Sequence, residues 1–259
     1  MNSSIKDYYE ITGEGEPLLL ISGLNADRFF WTSTIPYLKK NFSVITYDNR
    51  GMGKNKLFEP ECTTELMAND LINLLDHLKI KKTHIVGHSL GGCIAQQIAI
   101  HHPDRVNKLV LCSSQAKLLS LRKFSIKTNI ELMKSDVPPE IIIKNMMSWL
   151  FGHTFLDDPK KQTLFIRQAL MKPFEESRYS YLYQVNALLN HDTSNQLNKI
   201  TCPTLAICGE EDILSPPTNS QYLADNISAA KLFIFENAGH MLPVEDPEGF
   251  SRCIIEFLA

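Results

Sequence analysis

The 259-residue sequence predicts an α/β protein, with a mostly parallel central sheet flanked by helices and interrupted by one helical insertion. Three observations lead there. Short apolar runs alternate with longer segments of helical period. The runs are apolar almost without a break, which suits strands covered by helices on both faces. The alternation then stops over residues 116–199, where the apolar spacing is helical only.

The strand candidates are residues 17–22, 43–47, 83–87, 108–112, 204–208 and 231–235. Helix candidates are 33–40, 64–78, 90–101, 220–226 and 247–258. In 64–78, Leu66, Met67, Leu71, Leu74, Leu75 and Leu78 recur at three- and four-residue steps and make one apolar face.

The stretch 116–199 holds one of the twelve glycines, Gly152, and four of the eight methionines: Met133, Met146, Met147 and Met171. Strand rhythm resumes after Pro203, a residue that can open a strand without removing an interior ladder bond. About 80 residues exceed what a crossover needs. The expected division is therefore a core of 1–115 and 200–259 and a helical lid of 116–199. The lid is expected to supply the substrate pocket through Met146, Trp149, Phe151 and Phe155.

Composition excludes several classes. Hydrophobic and charged fractions of 44% and 21% are those of a globular chain rather than a disordered one. The net charge of −3 speaks against a nucleic-acid binder. The run Leu18–Ile21 falls far short of the ~20 apolar residues that span a bilayer. Residues 1–15 lack the basic, apolar and small-residue regions of a secretory leader, so the chain reads as cytoplasmic. The six cysteines are scattered with no Cys-x-x-Cys pair and read as buried free thiols; no metal site and no cofactor are expected. The charge is unevenly spread. Residues 116–200 carry 12 basic and 8 acidic side chains, leaving 14 basic and 21 acidic in the remainder. A basic lid on an acidic body is suited to steering an anionic substrate, or one borne by an acidic carrier protein.

The strongest chemical signal is Gly87-His88-Ser89-Leu90-Gly91-Gly92, set between a strand and a helix. A serine on so sharp a turn projects its hydroxyl above the sheet, and glycines two before and two after leave it room. The helix start behind Ser89 adds amide donors for a developing oxyanion. A nucleophilic serine needs a base, and the base an orienting acid. His240 follows the strand candidate 231–235 and is the candidate base, with His191 in reserve. For the acid, Asp212 is favoured over Glu210 and Glu211 because it directly precedes the apolar-Pro stretch Ile213–Pro216. The loop Cys112–Gln115 contains no competing acid. The oxyanion donors expected are the amides of Leu90 and of Leu24, the latter following Gly23 in the loop after the first strand candidate.

With these residues in place, the chain resembles the α/β-hydrolase superfamily over essentially its whole length. The resemblance rests on the Ser89 elbow, Asp48-Asn49-Arg50-Gly51-Met52-Gly53, the Gly209-x-x-Asp212 loop and the Gly239-His240 pair. It implies a structural role for Asp48 and Arg50. Two positions depart from the family pattern: Ser22 stands where most relatives have His, and Asn55 where they have Ser. The stretch Ser22–Ala26 is similar to loops of pimeloyl-carrier-protein methyl ester esterases, enol-lactonases and aminoacrylate hydrolases. A serine at 89 disfavours the branches with an aspartate nucleophile.

The expected activity is hydrolysis of a small-molecule carboxylic ester, thioester or lactone by Ser89, His240 and Asp212. Carbon–carbon bond hydrolysis and cofactor-free haloperoxidase chemistry on the same residues are the enzymatic alternatives. A hydrolase-fold protein that only binds ligand is the non-enzymatic one.

Overall fold

A computed structural model describes residues 8–56, 58, 61–228 and 230–259. The reading of residues 1–15 as free of a leader thus falls partly on residues 1–7, which lie outside the described residues. No helix among the described residues is long and apolar enough to cross a membrane.

The unbroken run Leu18–Ile21 sits in strand β2 (Glu16–Ile21), which follows a short strand β1 (Tyr9–Thr12). Alternate side chains leave a strand on opposite faces. Leu19 and Ile21 join one core cluster, and Leu18 and Leu20 join the other. The same division runs through β3 (Phe42–Tyr47), β4 (Thr83–His88) and β5 (Val106–Cys112). Ile45, Ile85 and Leu109 point to the first cluster, and Val44, Val86 and Val110 to the second. With β6 (Thr204–Gly209) and β7 (Ala230–Phe235), the strands form one sheet of order β1-β3-β2-β4-β5-β6-β7. All neighbours are parallel except the antiparallel edge pair β1–β3.

Helices α1 (Ile35–Leu38), α2 (Thr64–His77) and α3 (Leu90–His101) lie within the first half of the chain. The expected helix 33–40 shrinks to α1, preceded by a 3-10 turn, Arg28–Trp31, that seats Trp31 in the second cluster. Between β5 and β6 come α4 (Ser120–Lys134), α5 (Pro139–Leu150), α6 (His153–Leu156), α7 (Pro159–Leu170) and α8 (Phe174–Asn190). Helices α9 (Pro217–Asn226), α10 (Leu242–Glu245) and α11 (Pro247–Leu258) complete the chain. Phe250 and Ile254 of α11 close the second cluster against Trp31 and Leu38. Each such fully buried side chain contributes about 1.5–3 kcal/mol. The loops that follow the C-terminal ends of β2, β3, β4, β6 and β7 all emerge on one side, where α/β sheets build their sites.

The Asp48 motif braces this side of the sheet. Asp48 accepts the Arg28 and Lys54 amides at 2.9 and 3.0 Å and pairs with the Arg28 guanidinium. Arg50 makes a two-pronged pair with Asp70, both bonds 2.7 Å. The Asn55 amide donates to the Asp48 carbonyl at 3.0 Å and to the Tyr47 hydroxyl at 3.1 Å, so the unusual asparagine closes the turn.

Candidate active site

Ser89 is the junction of β4 and α3, at φ 55° and ψ −117°. A non-glycine residue there stores on the order of 1–3 kcal/mol of strain, which the surroundings must hold. They do so through four hydrogen bonds. The Ser89 amide donates to the Cys112 carbonyl at 2.8 Å, and the Ser89 carbonyl accepts from the Gly92 amide at 2.9 Å, the Ser114 hydroxyl at 3.0 Å and the Cys93 amide at 3.2 Å. The turn also needs its glycines. A Cβ on Gly87 would stand 2.7 Å from the Gly92 Cα, and one on Gly91 would stand 2.7 Å from the Ile21 carbonyl carbon.

From the elbow a hydrogen-bonded chain runs through three buried residues. Ser89 Oγ lies 3.0 Å from His240 Nε2, and His240 Nδ1 lies 3.0 and 2.9 Å from the two Asp212 oxygens. Asp212 Oδ1 also accepts the Leu214 and Ser215 amides, at 3.0 and 2.8 Å. A carboxylate on Nδ1 keeps the proton there and leaves Nε2 free to accept the serine proton. Glu210 and Glu211 stay outside this chain; Glu211 instead accepts the His153 amide at 2.6 Å. His191 is remote from it, bonded to the Thr64 hydroxyl at 3.0 Å.

The His240 loop is fixed from two sides. His88 Nε2–H donates to the His240 carbonyl at 2.8 Å, with the two rings edge to face at 5.1 Å. Burial, and then electrostatic repulsion from the neighbouring His240 imidazole, push the His88 imidazole down to about 3, so it stays neutral. From the other side, the Glu245 carboxylate accepts the amides of Gly152, Gly239 and Met241 at 2.8–3.1 Å. Burial raises the Glu245 pKa against the pull of those amides.

Leu90 is the first residue of α3, so its amide has no acceptor within the helix. Gly23 brings the β2 loop against the elbow: a Cβ there would lie 3.2 Å from the Ser89 Cβ. Leu24 follows it, beside Ser89 on the wall of a shared cavity. Ser22, in place of the usual His, donates its hydroxyl to the Asp27 carbonyl at 3.0 Å, and its own carbonyl accepts the Asn49 amide. The residue swap thus closes the loop that carries Leu24.

The cavity has a volume of about 860 Å³ and mostly apolar walls. Ser89, His240 and Leu24 lie on it, as do Met146, Trp149 and Phe155 from the segment 116–199. Phe151 departs from expectation. It lies off the cavity wall, stacked on Phe155 at 3.9 Å and buried with Met147. It holds the helical segment together and does not face the cavity. Phe30, Ile142, Leu164, Phe165, Tyr181 and Val244 also line the cavity and were not singled out from the sequence. Helical spacing marked several as apolar positions, but only the packing of α4, α5, α7 and α8 shows which side faces Ser89.

A family model described as alpha/beta hydrolase fold matches residues 16–247. The chain belongs to the alpha/beta hydrolase family. This alpha/beta hydrolase is 32% identical over 260 residues to a protein of Yersinia enterocolitica that bears the provisional name carbamate hydrolase RutD, covering 97% of this chain and 91% of the relative. Among solved structures it is similar to a thermophilic esterase from Thermogutta terrifontis, with a TM-score of 0.85, 29% identity and 96% and 92% of the two chains covered. It is also similar to a meta-cleavage product hydrolase from Pseudomonas fluorescens, with a TM-score of 0.80, 26% identity and 96% and 92% covered. The fold and hydrolase character of the chain follow from this membership.

Proposed function

We propose that this protein is a serine hydrolase that cleaves a carboxylic ester, thioester or lactone of small or medium acyl length. The observation that carries the reading is the unbroken chain from Ser89 through His240 to Asp212, opening onto an apolar cavity. In this reading Ser89 Oγ attacks the acyl carbonyl while its proton passes to His240 Nε2. Asp212 holds the imidazolium by its Nδ1–H. The carbonyl oxygen becomes an oxyanion and takes hydrogen bonds from the Leu24 and Leu90 amides; each such donor is worth ~10²–10³ in turnover. The oxyanion collapses, the alcohol leaves with the proton from His240, and an acyl-Ser89 ester remains. Water, deprotonated by His240, then releases the acid and restores Ser89.

The cavity of about 860 Å³ is in the range of sites for drug-sized ligands, which suits an acyl substrate of small or medium length.

The test is kcat/KM on p-nitrophenyl esters of rising chain length, with a carbamate and a carbon–carbon cleavage substrate alongside. Ester turnover in the wild type that disappears in Ser89→Ala is the expected result. Undiminished turnover in the purified variant, or turnover confined to a non-ester substrate, overturns the reading.

A further inference from the structure

One side chain on the cavity wall has no role in the chemistry above. Arg122 and Asn129 stand seven residues apart on α4, two turns along one face, and both line the cavity with Ser89 and His240. No carboxylate pairs with Arg122 among the described residues. Its guanidinium donates one bond, Nη1 to the Ser125 hydroxyl at 3.2 Å. The other charged groups of the wall are accounted for differently. Asp27, the one acid on it among the described residues, is paired with Lys172 at 2.6 Å, and Lys161 is exposed, with its ammonium 5.8 Å from the centre of the Phe155 ring. Beside Arg122, the Tyr181 hydroxyl is buried and makes no hydrogen bond of normal geometry; burial raises its pKa, against the smaller opposing effects of Arg122 and Asn129, so it stays protonated.

Arg122 is half-buried; drawing a guanidinium out of water without an anion is costly, and desolvation does lower the Arg122 pKa, with Tyr181 and then Asp212 acting the other way. Arg122 shares its cavity with Ser89 and His240, so an anion held by the guanidinium sits in the same chamber as the Ser89 hydroxyl. Much of the rest of the wall is hydrocarbon, from residues such as Ile142, Ile143 and Met146. The site therefore combines a nucleophile, an apolar body and an unpaired, fork-shaped cation whose geometry matches a carboxylate.

We propose that Arg122, with Asn129 and Tyr181, binds a carboxylate on the substrate, so that the preferred substrates are esters bearing a free carboxylate on their acyl or alcohol part. This rests on the serine-hydrolase reading and names the substrate class of that same site.

The experiment uses the full chain and two matched pairs of substrates. Mono-p-nitrophenyl glutarate is compared with p-nitrophenyl valerate, and 4-acetoxybenzoate with 4-methylphenyl acetate. In at least one pair, Arg122→Met lowers kcat/KM for the carboxylated member by ~10–100-fold, mainly through KM, and leaves its neutral partner within about threefold. Arg122→Lys, which keeps charge but not the fork, falls between. Lys127→Met, a change of equal charge on an exposed lysine of α4 off the cavity wall, keeps the wild-type selectivity. Selectivity unchanged in Arg122→Met and Arg122→Lys for both pairs, or a Lys127→Met loss as large as that of Arg122→Met, overturns the proposal. A wild type that hydrolyses none of the four and whose Ser89 resists a fluorophosphonate sinks the serine-hydrolase reading, and the Arg122 assignment with it.

Discussion

The backbone amide of His240 donates to the Leu150 carbonyl at 2.9 Å. Met241 shares that acceptor at 3.1 Å, so the last turn of α5 and the loop carrying the imidazole are joined backbone to backbone. Gly239 and Gly152 make the join possible. A Cβ on Gly239 would press on the Gly152 nitrogen and stand 2.7 Å from the Phe151 carbonyl carbon, both backbone atoms that cannot step aside.

Gly239→Ala should therefore move His240 relative to Ser89. A displacement of about 1 Å costs on the order of 10² in turnover. Ester kcat is expected to drop by about that factor with the far-UV spectrum retained. Wild-type kcat in the alanine variant would show that the join does not set the His240 position.

Glu245 clamps the same two segments by accepting three backbone amides. Glu245→Gln turns one acceptor into an amide donor facing other donors. The expected loss is about 1–3 kcal/mol of stability, seen as a lower Tm, together with reduced kcat. An unchanged Tm would count against the clamp.

Asp212→Asn keeps the shape of the side chain and the bonds from Leu214 and Ser215 but removes the charge that holds the His240 tautomer. Ester kcat should fall ~10³–10⁴-fold in a folded protein. Glu211→Gln, which alters a bond to the His153 amide outside the Ser89 chain, should leave kcat within a few-fold. The reverse pattern would reassign the acid.

Much of this site was legible in the sequence, and the reasons are local. Ser89 stood out because glycines flank it between a strand-like and a helix-like run, and the elbow's geometry requires those residue types next to one another. Asp212 could be separated from Glu210 and Glu211 because the turn that follows it is written in adjacent residues. What stayed hidden depends on distant partners. Strand β1, Tyr-Glu-Ile-Thr, is a half-exposed edge strand whose polar pattern resembles a loop until it pairs with β3. Phe151 and Phe155 have the same character in sequence, yet the stacking that seats one off the cavity and the other on it depends on Phe165 from α7 as well. Likewise, the basic character of residues 116–200 could be counted, but the position of Arg122 on the cavity wall could not.

Acid should loosen the body through His191. Burial pushes this imidazole down to about 4, from the ordinary value near 6.5. A depressed histidine favours the folded state while neutral, so its contribution is fully present above pH 6.5. It is lost as pH falls toward 4, by up to about 3 kcal/mol. His191→Asn should thus show a smaller Tm difference between pH 7 and pH 5 than the wild type. Equal differences would mean that His191 does not titrate on unfolding.

In the proposed mechanism Ser89, activated by His240, is the nucleophile. The most direct measurement is intact-mass and peptide mapping after treatment with a fluorophosphonate, paired with residual ester turnover. One adduct per chain is expected, on Ser89, with turnover falling in proportion to labelling and labelling strongly slowed in His240→Ala. An adduct on another residue, or full turnover by protein whose Ser89 is modified, would contradict it.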